Sequence, residues 1–228
     1  MSEAGGFGVV QPIALTRLYG HDYREGLRMI KSLTDKPFGV NITILPNTAA
    51  AAKYRGMNEE FLEVALEEGV KFILTSLGKP NDIVKRCHEA GVKVYHDVHT
   101  PKIALQAAAA GVDGLNLLNS SMGGQTGAHT PEDIISCAAQ INLERGFDGD
   151  FPFLCAGGVA NGKDLTDRLN LGECGVTDER ANCAFSGVWR SPLAKSVAWK
   201  DLLKRPARND RLKQPARTTA SNDRLESP

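Results

Sequence analysis

Short apolar runs alternate with segments of helical periodicity along most of this chain, and glycines mark many of the joins. Six runs read as strands: residues 7–10, 38–42, 70–74, 92–98, 112–118 and 151–155. Each run is short and apolar rather than alternating, the pattern of strands covered by helices. Between them the spacing predicts helices over 23–33, 58–68, 81–90, 101–110, 131–145 and 162–171. Leu27, Ile30 and Leu33 share one face of the first, and Phe61, Leu62, Ala65 and Leu66 point inward from the second. Asn58 reads as the cap of that second helix, with 47–56 before it as a loop, and 75–78 reads as a polar turn after the third strand. Gly69, Gly91, Gly111 and Gly172 stand where a left-handed residue ends a helix.

Such an alternation implies an α/β fold with a parallel sheet, closed into a TIM (β/α)8-type barrel or most of one. An open doubly wound sheet is the alternative, but it normally carries its phosphate loop after the first strand. Here the glycine-rich loops follow the fifth and sixth runs, which favours the barrel. With about six of eight strands countable, the expectation is an incomplete barrel over residues 1–176.

Beyond Val176 the alternation is lost. From Trp189 to Pro228 there are ten Lys/Arg against four Asp/Glu, and residues 177–228 read as a separate, disordered basic tail. No aromatic pattern or fold motif accompanies this charge, so a solvated extension is the favoured reading. The formal net charge of the whole chain is +0, so neither a nucleic-acid nor a membrane partner is expected. Five cysteines without a C-x-x-C pair argue against a disulfide framework or a zinc cluster and favour a reducing, cytoplasmic setting. No apolar run is long enough to span a bilayer, and the first residues show no secretory pattern.

The stretch VDGLNLLNSSMGGQTGAHTP, residues 112–131, opens as a buried strand and breaks into a glycine-rich loop that ends on His129. Thr130 fits a helix N-cap, Pro131 the first helical position, and Glu132 and Asp133 the positive end of the helix dipole. A strand feeding a glycine loop and then a helix presents backbone N–H groups to an anion. A histidine in that loop can exchange a proton near neutral pH. One strand–helix interval later, AGGV at 156–159 offers a second phosphate-type loop. In a barrel both sit on the C-terminal rim, where such enzymes work. His96 and His99 stand near metal-ligand spacing but straddle a strand end. His21 and His88 read as surface residues, and Cys155 as core.

These segments resemble the nitronate monooxygenase family, formerly 2-nitropropane dioxygenases, over about Ser2 to Val176. The resemblance rests on SEAGGFGVV, KPFGVNI, AGVKVYHDVHTPKIALQAAAAGVDGL, QTGAH and PFLCAGGVANGKDL. It implies an FMN-dependent TIM-barrel oxidoreductase that oxidises alkyl nitronates, or nitroalkanes, with molecular oxygen as acceptor. FMN contacts would fall on Asn41, Gly127, Gly157 and Gly158, and the catalytic histidine would be His129. The family usually reads E-A-G-G-H at the histidine loop, so Gln125 and Ala128 are departures. Relative to the family pattern the first strand and most of the first helix are absent. After LGECGV the family's Q-M-G-T-R-F is replaced by TDERANCAF, which reads as a shifted frame or altered splice. Two further readings follow: an NAD(P)H-using flavin reductase of the same fold, and a truncated, non-catalytic remnant that holds no FMN.

Overall fold

A computed structural model describes residues 2, 6–45, 48–49, 51–121, 127–130, 132–133, 136, 141, 152–159, 161–170 and 175–177. Gln125, Pro131, most of the helix expected at 131–145, and the tail from 178 onward lie outside the described residues.

Seven parallel strands form one sheet: β1 (Gly8–Val10), β2 (Phe38–Ile44), β3 (Phe72–Leu77), β4 (Lys93–Val98), β5 (Gly114–Leu118), β6 (Phe153–Ala156) and β7 (Gly175–Thr177). Their spatial order is their chain order, with no reversal, which rules out the doubly wound alternative and leaves an incomplete (β/α)8 barrel. The six runs read as strands are the first six of this sheet; the seventh has only three residues.

The helices are α1 (Tyr23–Leu33), α2 (Ala52–Glu67), α3 (Asn81–Glu89), α4 (Pro101–Ala110) and α5 (Gly162–Asn170), with a π-helical turn at Ala14–Leu18. Local chemistry sets their ends. Asp22 caps α1 by accepting from Glu25 N at 2.9 Å, and Thr100 caps α4 by accepting from Ile103 N at 3.3 Å. Gly111, at φ 91°, ends α4 in the left-handed region.

Strand alternation divides the apolar side chains between two faces. Val40, Ile42, Ile73, Val94, Val98, Leu115 and Leu117 pack outward against Leu27, Phe61, Leu62, Val84 and Ala104 of the helices. Phe72, Leu74 and Tyr95 point the other way, with Phe7 and Leu154, and form the barrel interior. Phe72 stacks at 5.0 Å on both Phe7 and Tyr95. Gly114 admits this stack, because any Cβ there would sit on the Tyr95 ring.

Three local expectations are corrected. Helix α2 starts at Ala52 rather than Asn58, since the alanine-rich segment before Asn58 is itself helix-favouring. Asn58 is buried inside that helix, and its Nδ2 donates to Thr43 O on β2 at 2.7 Å. Thr75, Ser76 and Leu77 are the end of β3, not a turn. The two hydroxyls find partners on neighbouring strands and so remain in the sheet. His88 is not a solvated surface residue: its Nε2 lies 2.9 Å from Asp113 Oδ2, and Lys93 Nζ lies 2.9 Å from Oδ1 of the same carboxylate.

Candidate active site

The C-terminal ends of parallel strands share one edge, and the residues singled out in the sequence gather there. Gly127 is buried where the loop after β5 crosses the strand ends. A Cβ on it would lie 2.5 Å from Leu118 O and 3.0 Å from His99 O, so only glycine lets the loop sit this close. Two residues on, His129 is half-buried, and its carbonyl accepts from Ser120 N at 2.9 Å. That bond closes the loop at its base and fixes where His129 leaves it. The next turn starts as the sequence suggests: Thr130 Oγ1 accepts from Asp133 N, and Asp133 Oδ2 from Thr130 N, both at 3.2 Å. This reciprocal cap sets the direction of the chain just after the histidine. Glu132, Asp133, Ser136 and Ile141 are helical.

Gly157 and Gly158 follow β6 at φ 109° and 75°, both in the left-handed region that favours glycine. Asn119, fully buried at the end of β5, ties this turn to the histidine loop. Its Nδ2 donates to Gly157 O at 3.1 Å and to Cys155 Sγ at 3.2 Å, while its Oδ1 accepts from Ser121 N at 2.8 Å. Cys155 is accordingly core, as expected. The structure thus brings Gly127, His129, Gly157 and Gly158 to adjacent strand ends.

Asn41 lies further round, on β2, and starts a polar row that crosses the barrel interior to β5. Asn41 Nδ2 donates to Ser76 Oγ at 3.0 Å, Ser76 Oγ to Asp97 Oδ2 at 2.7 Å, and Asn116 Nδ2 to Asp97 Oδ1 at 2.7 Å. The row spans four strands, β2 to β5, with one carboxylate at its centre. Nothing in the sequence alone singles out Ser76, Asp97, Asn116 or Asn119 as site residues, beyond the signal of a polar residue at an inward position of an otherwise apolar strand. His96 faces the helices, its Nδ1 2.8 Å from Thr75 Oγ1.

A family model described as nitronate monooxygenase matches residues 1–178. The chain belongs to the nitronate monooxygenase family. A nitronate monooxygenase of Pseudomonas aeruginosa is 27% identical over 239 residues, covering 87% of this chain and 67% of the relative. A Mycobacterium tuberculosis protein, (3aS,4S,5R,7aS)-5-hydroxy-7a-methyl-1-oxo-octahydro-1H-indene-4-carboxyl-CoA dehydrogenase, is 29% identical over 175 residues, 77% of this chain and 45% of its own length. Among solved structures, FabK from Thermotoga maritima superposes with a TM-score of 0.61 at 26% identity, over 77% of this chain and 50% of that one. A nitroalkane oxidase from Streptomyces ansochromogenes shares the fold, with a TM-score of 0.59 at 23% identity and coverage of 77% and 58%. The chain therefore spans about half the length of the dehydrogenase, FabK and the oxidase that it matches. Monooxygenase, dehydrogenase and oxidase are all oxidoreductase activities. Among the described residues no helix is long and apolar enough to cross a membrane.

Proposed function

We propose that this chain is the core of an FMN-dependent oxidoreductase that oxidises alkyl nitronates and their parent nitroalkanes, with molecular oxygen as acceptor. The observation that carries this reading is the coupling of two loops. Asn119 and Ser120, adjacent at the end of β5, hold the Gly157 turn and the His129 carbonyl respectively. A proton-exchanging side chain and a glycine turn suited to an anion are thereby held on neighbouring strands.

The residues present fit FMN. Gly157 and Gly158 form a turn without side chains at the rim, and Asn161 caps the helix behind it, its Oδ1 accepting from Lys163 N at 2.8 Å. Amides after such a turn are donors for a phosphate. Gly127 would add backbone contact, and Asn41 a side-chain amide already oriented by Ser76. When bound, FMN supplies the two-electron redox chemistry. His129 then takes the proton from the carbon bearing the nitro group onto an imidazole nitrogen, and the nitronate is the resulting anion. Cytoplasmic residence belongs to the same reading, with Cys87 and Cys155 buried in the core as thiols.

The purified protein tests this directly. A flavin absorbance spectrum, bleached anaerobically by a nitronate, is the expected result. Bleaching by NADPH but not by a nitronate would make the protein a flavin reductase of the same fold. A colourless product would favour a second reading, a non-catalytic remnant of the family.

A further inference from the structure

A second cavity site lies on the helix side of β4. Thr75 and His96 are cross-strand partners on β3 and β4, both fully buried. The single hydroxyl proton of Thr75 goes to Tyr95 O, at 3.0 Å. With that donation made, Thr75 Oγ1 is left to accept from His96 Nδ1, 2.8 Å away, and on this hydrogen-bond network the imidazole proton is assigned to Nδ1. Burial, with His99 adding to it, pushes the imidazole down to about 4, so at neutral pH it is uncharged. Its Nε2 is a bare acceptor and has no hydrogen-bond partner among the described residues. The same ring lines a cavity of about 520 Å³ between the turn after β3, the end of β4 and helix α4. Leu77, Ile103, Ala110 and Leu118 give it apolar walls, and Lys79, Asp97, His99 and Gln106 bring polar groups of both charges to its lining. Leu77 has φ 62°, the one positive value outside glycine among the described residues.

We propose that this cavity binds a small, neutral, largely apolar molecule through an N–H or O–H donor placed on His96 Nε2. The size suits a bicyclic or medium-chain ligand, and the walls favour a flat or aliphatic body. An acceptor on a cavity wall favours a ligand that brings a donor, because an analogue without one displaces water and leaves the acceptor unpaired. The cavity adjoins the seat of the His129 loop through Leu118 and His99, but the assignment does not depend on the activity proposed above.

Isothermal titration calorimetry on the full chain with indole and benzofuran, which match in shape but differ in the N–H group, tests the assignment. Indole should bind at least tenfold more tightly than benzofuran. Ala110→Phe, on a half-buried helix position, should fill the cavity and abolish indole binding. His96→Asn keeps a group that can reach Thr75 but loses the distal acceptor, and should bind the two ligands equally. Equal affinities in the wild-type protein, no indole binding, or unchanged binding to Ala110→Phe would each overturn the proposal. So would a folded His96→Asn that keeps the preference. If His96→Asn fails to fold, the ligand pair and Ala110→Phe still decide.

Discussion

The side-chain amide of Asn119 donates to the carbonyl oxygen of Gly157 at 3.1 Å, so the end of β5 holds the glycine turn after β6. Asn119→Asp preserves the shape and the acceptor for Ser121 N but removes both donations. It also sets a carboxylate against a carbonyl in a fully buried position. The expected cost is about 1–3 kcal/mol of stability, read as a lower urea midpoint. Asn119→Ala, which introduces no charge, should cost less.

Gly127→Ala places a methyl group against Leu118 O and His99 O, both backbone atoms that cannot rotate away. Overpacking of this kind costs about 1–3 kcal/mol, visible as a drop in melting temperature. Because the loop must lift to relieve the clash, fluorescence titration with FMN should also show weakened binding. A melting temperature equal to wild type would mean that the loop packs less tightly than described.

His129→Ala separates proton transfer from cofactor binding. Flavin content should stay at the wild-type level, since the proposed contacts to it are Asn41 and the glycine amides. Turnover of the neutral nitroalkane should fall by roughly 10²–10⁴-fold, as for loss of a general base. Turnover of the pre-ionised nitronate should fall much less, its proton being already gone. Equal losses on both substrates would assign His129 to positioning, and no loss on either would remove it from the mechanism.

Acid should lower the stability of the protein over two pH windows. In the first, folded His96 stays neutral down to about 4 while an unfolded histidine protonates near 6.5. The unfolded state binds more protons in that window, so stability falls as the pH drops through it, by on the order of 3 kcal/mol. The second window belongs to two carboxylates. The hydrogen bond from Lys31 leads in holding the Glu68 carboxyl down to about 2, against the burial that opposes it and with Arg24 and Arg28 adding. Burial pushes the Asp113 carboxyl up, but hydrogen bonds from His88, Val94 N and Lys93 together outweigh it and hold it below its usual range. Both are depressed, so their stabilisation is present above the unfolded carboxylate pKa and is lost as the pH falls through the folded one. Urea midpoints measured against pH should show both slopes, and Glu68→Gln should flatten only the lower one.

The sheet was legible because strands buried on both faces carry no interior punctuation, and the first six runs have no competing helical spacing. Thr130 and Gly111 were legible because caps are written in one or two residues. Helix α2 was misjudged at its start, where Asn58 looks like a cap but spends its amide on Thr43 of a neighbouring strand. Thr75 and Ser76 looked like a turn for a related reason: their partners, Tyr95 O and Asp97, are about twenty residues away. The polar row through Asp97 has the same character, since each bond joins two strands and leaves no short-range trace. Of the candidate site, the glycines and His129 were readable from their loops, whereas Asn119 was not. An asparagine at a strand end looks the same whether it is solvated or holds two loops together.

The strictly sequential strand order has a consequence for synthesis. Each strand from β2 onward finds its hydrogen-bonding neighbour among residues already made, so a chain emerging from the ribosome can extend the sheet by one strand and one covering helix at a time. No strand must be held back for a partner translated much later. The growing edge of the sheet is then always the newest strand, and the next βα unit covers it.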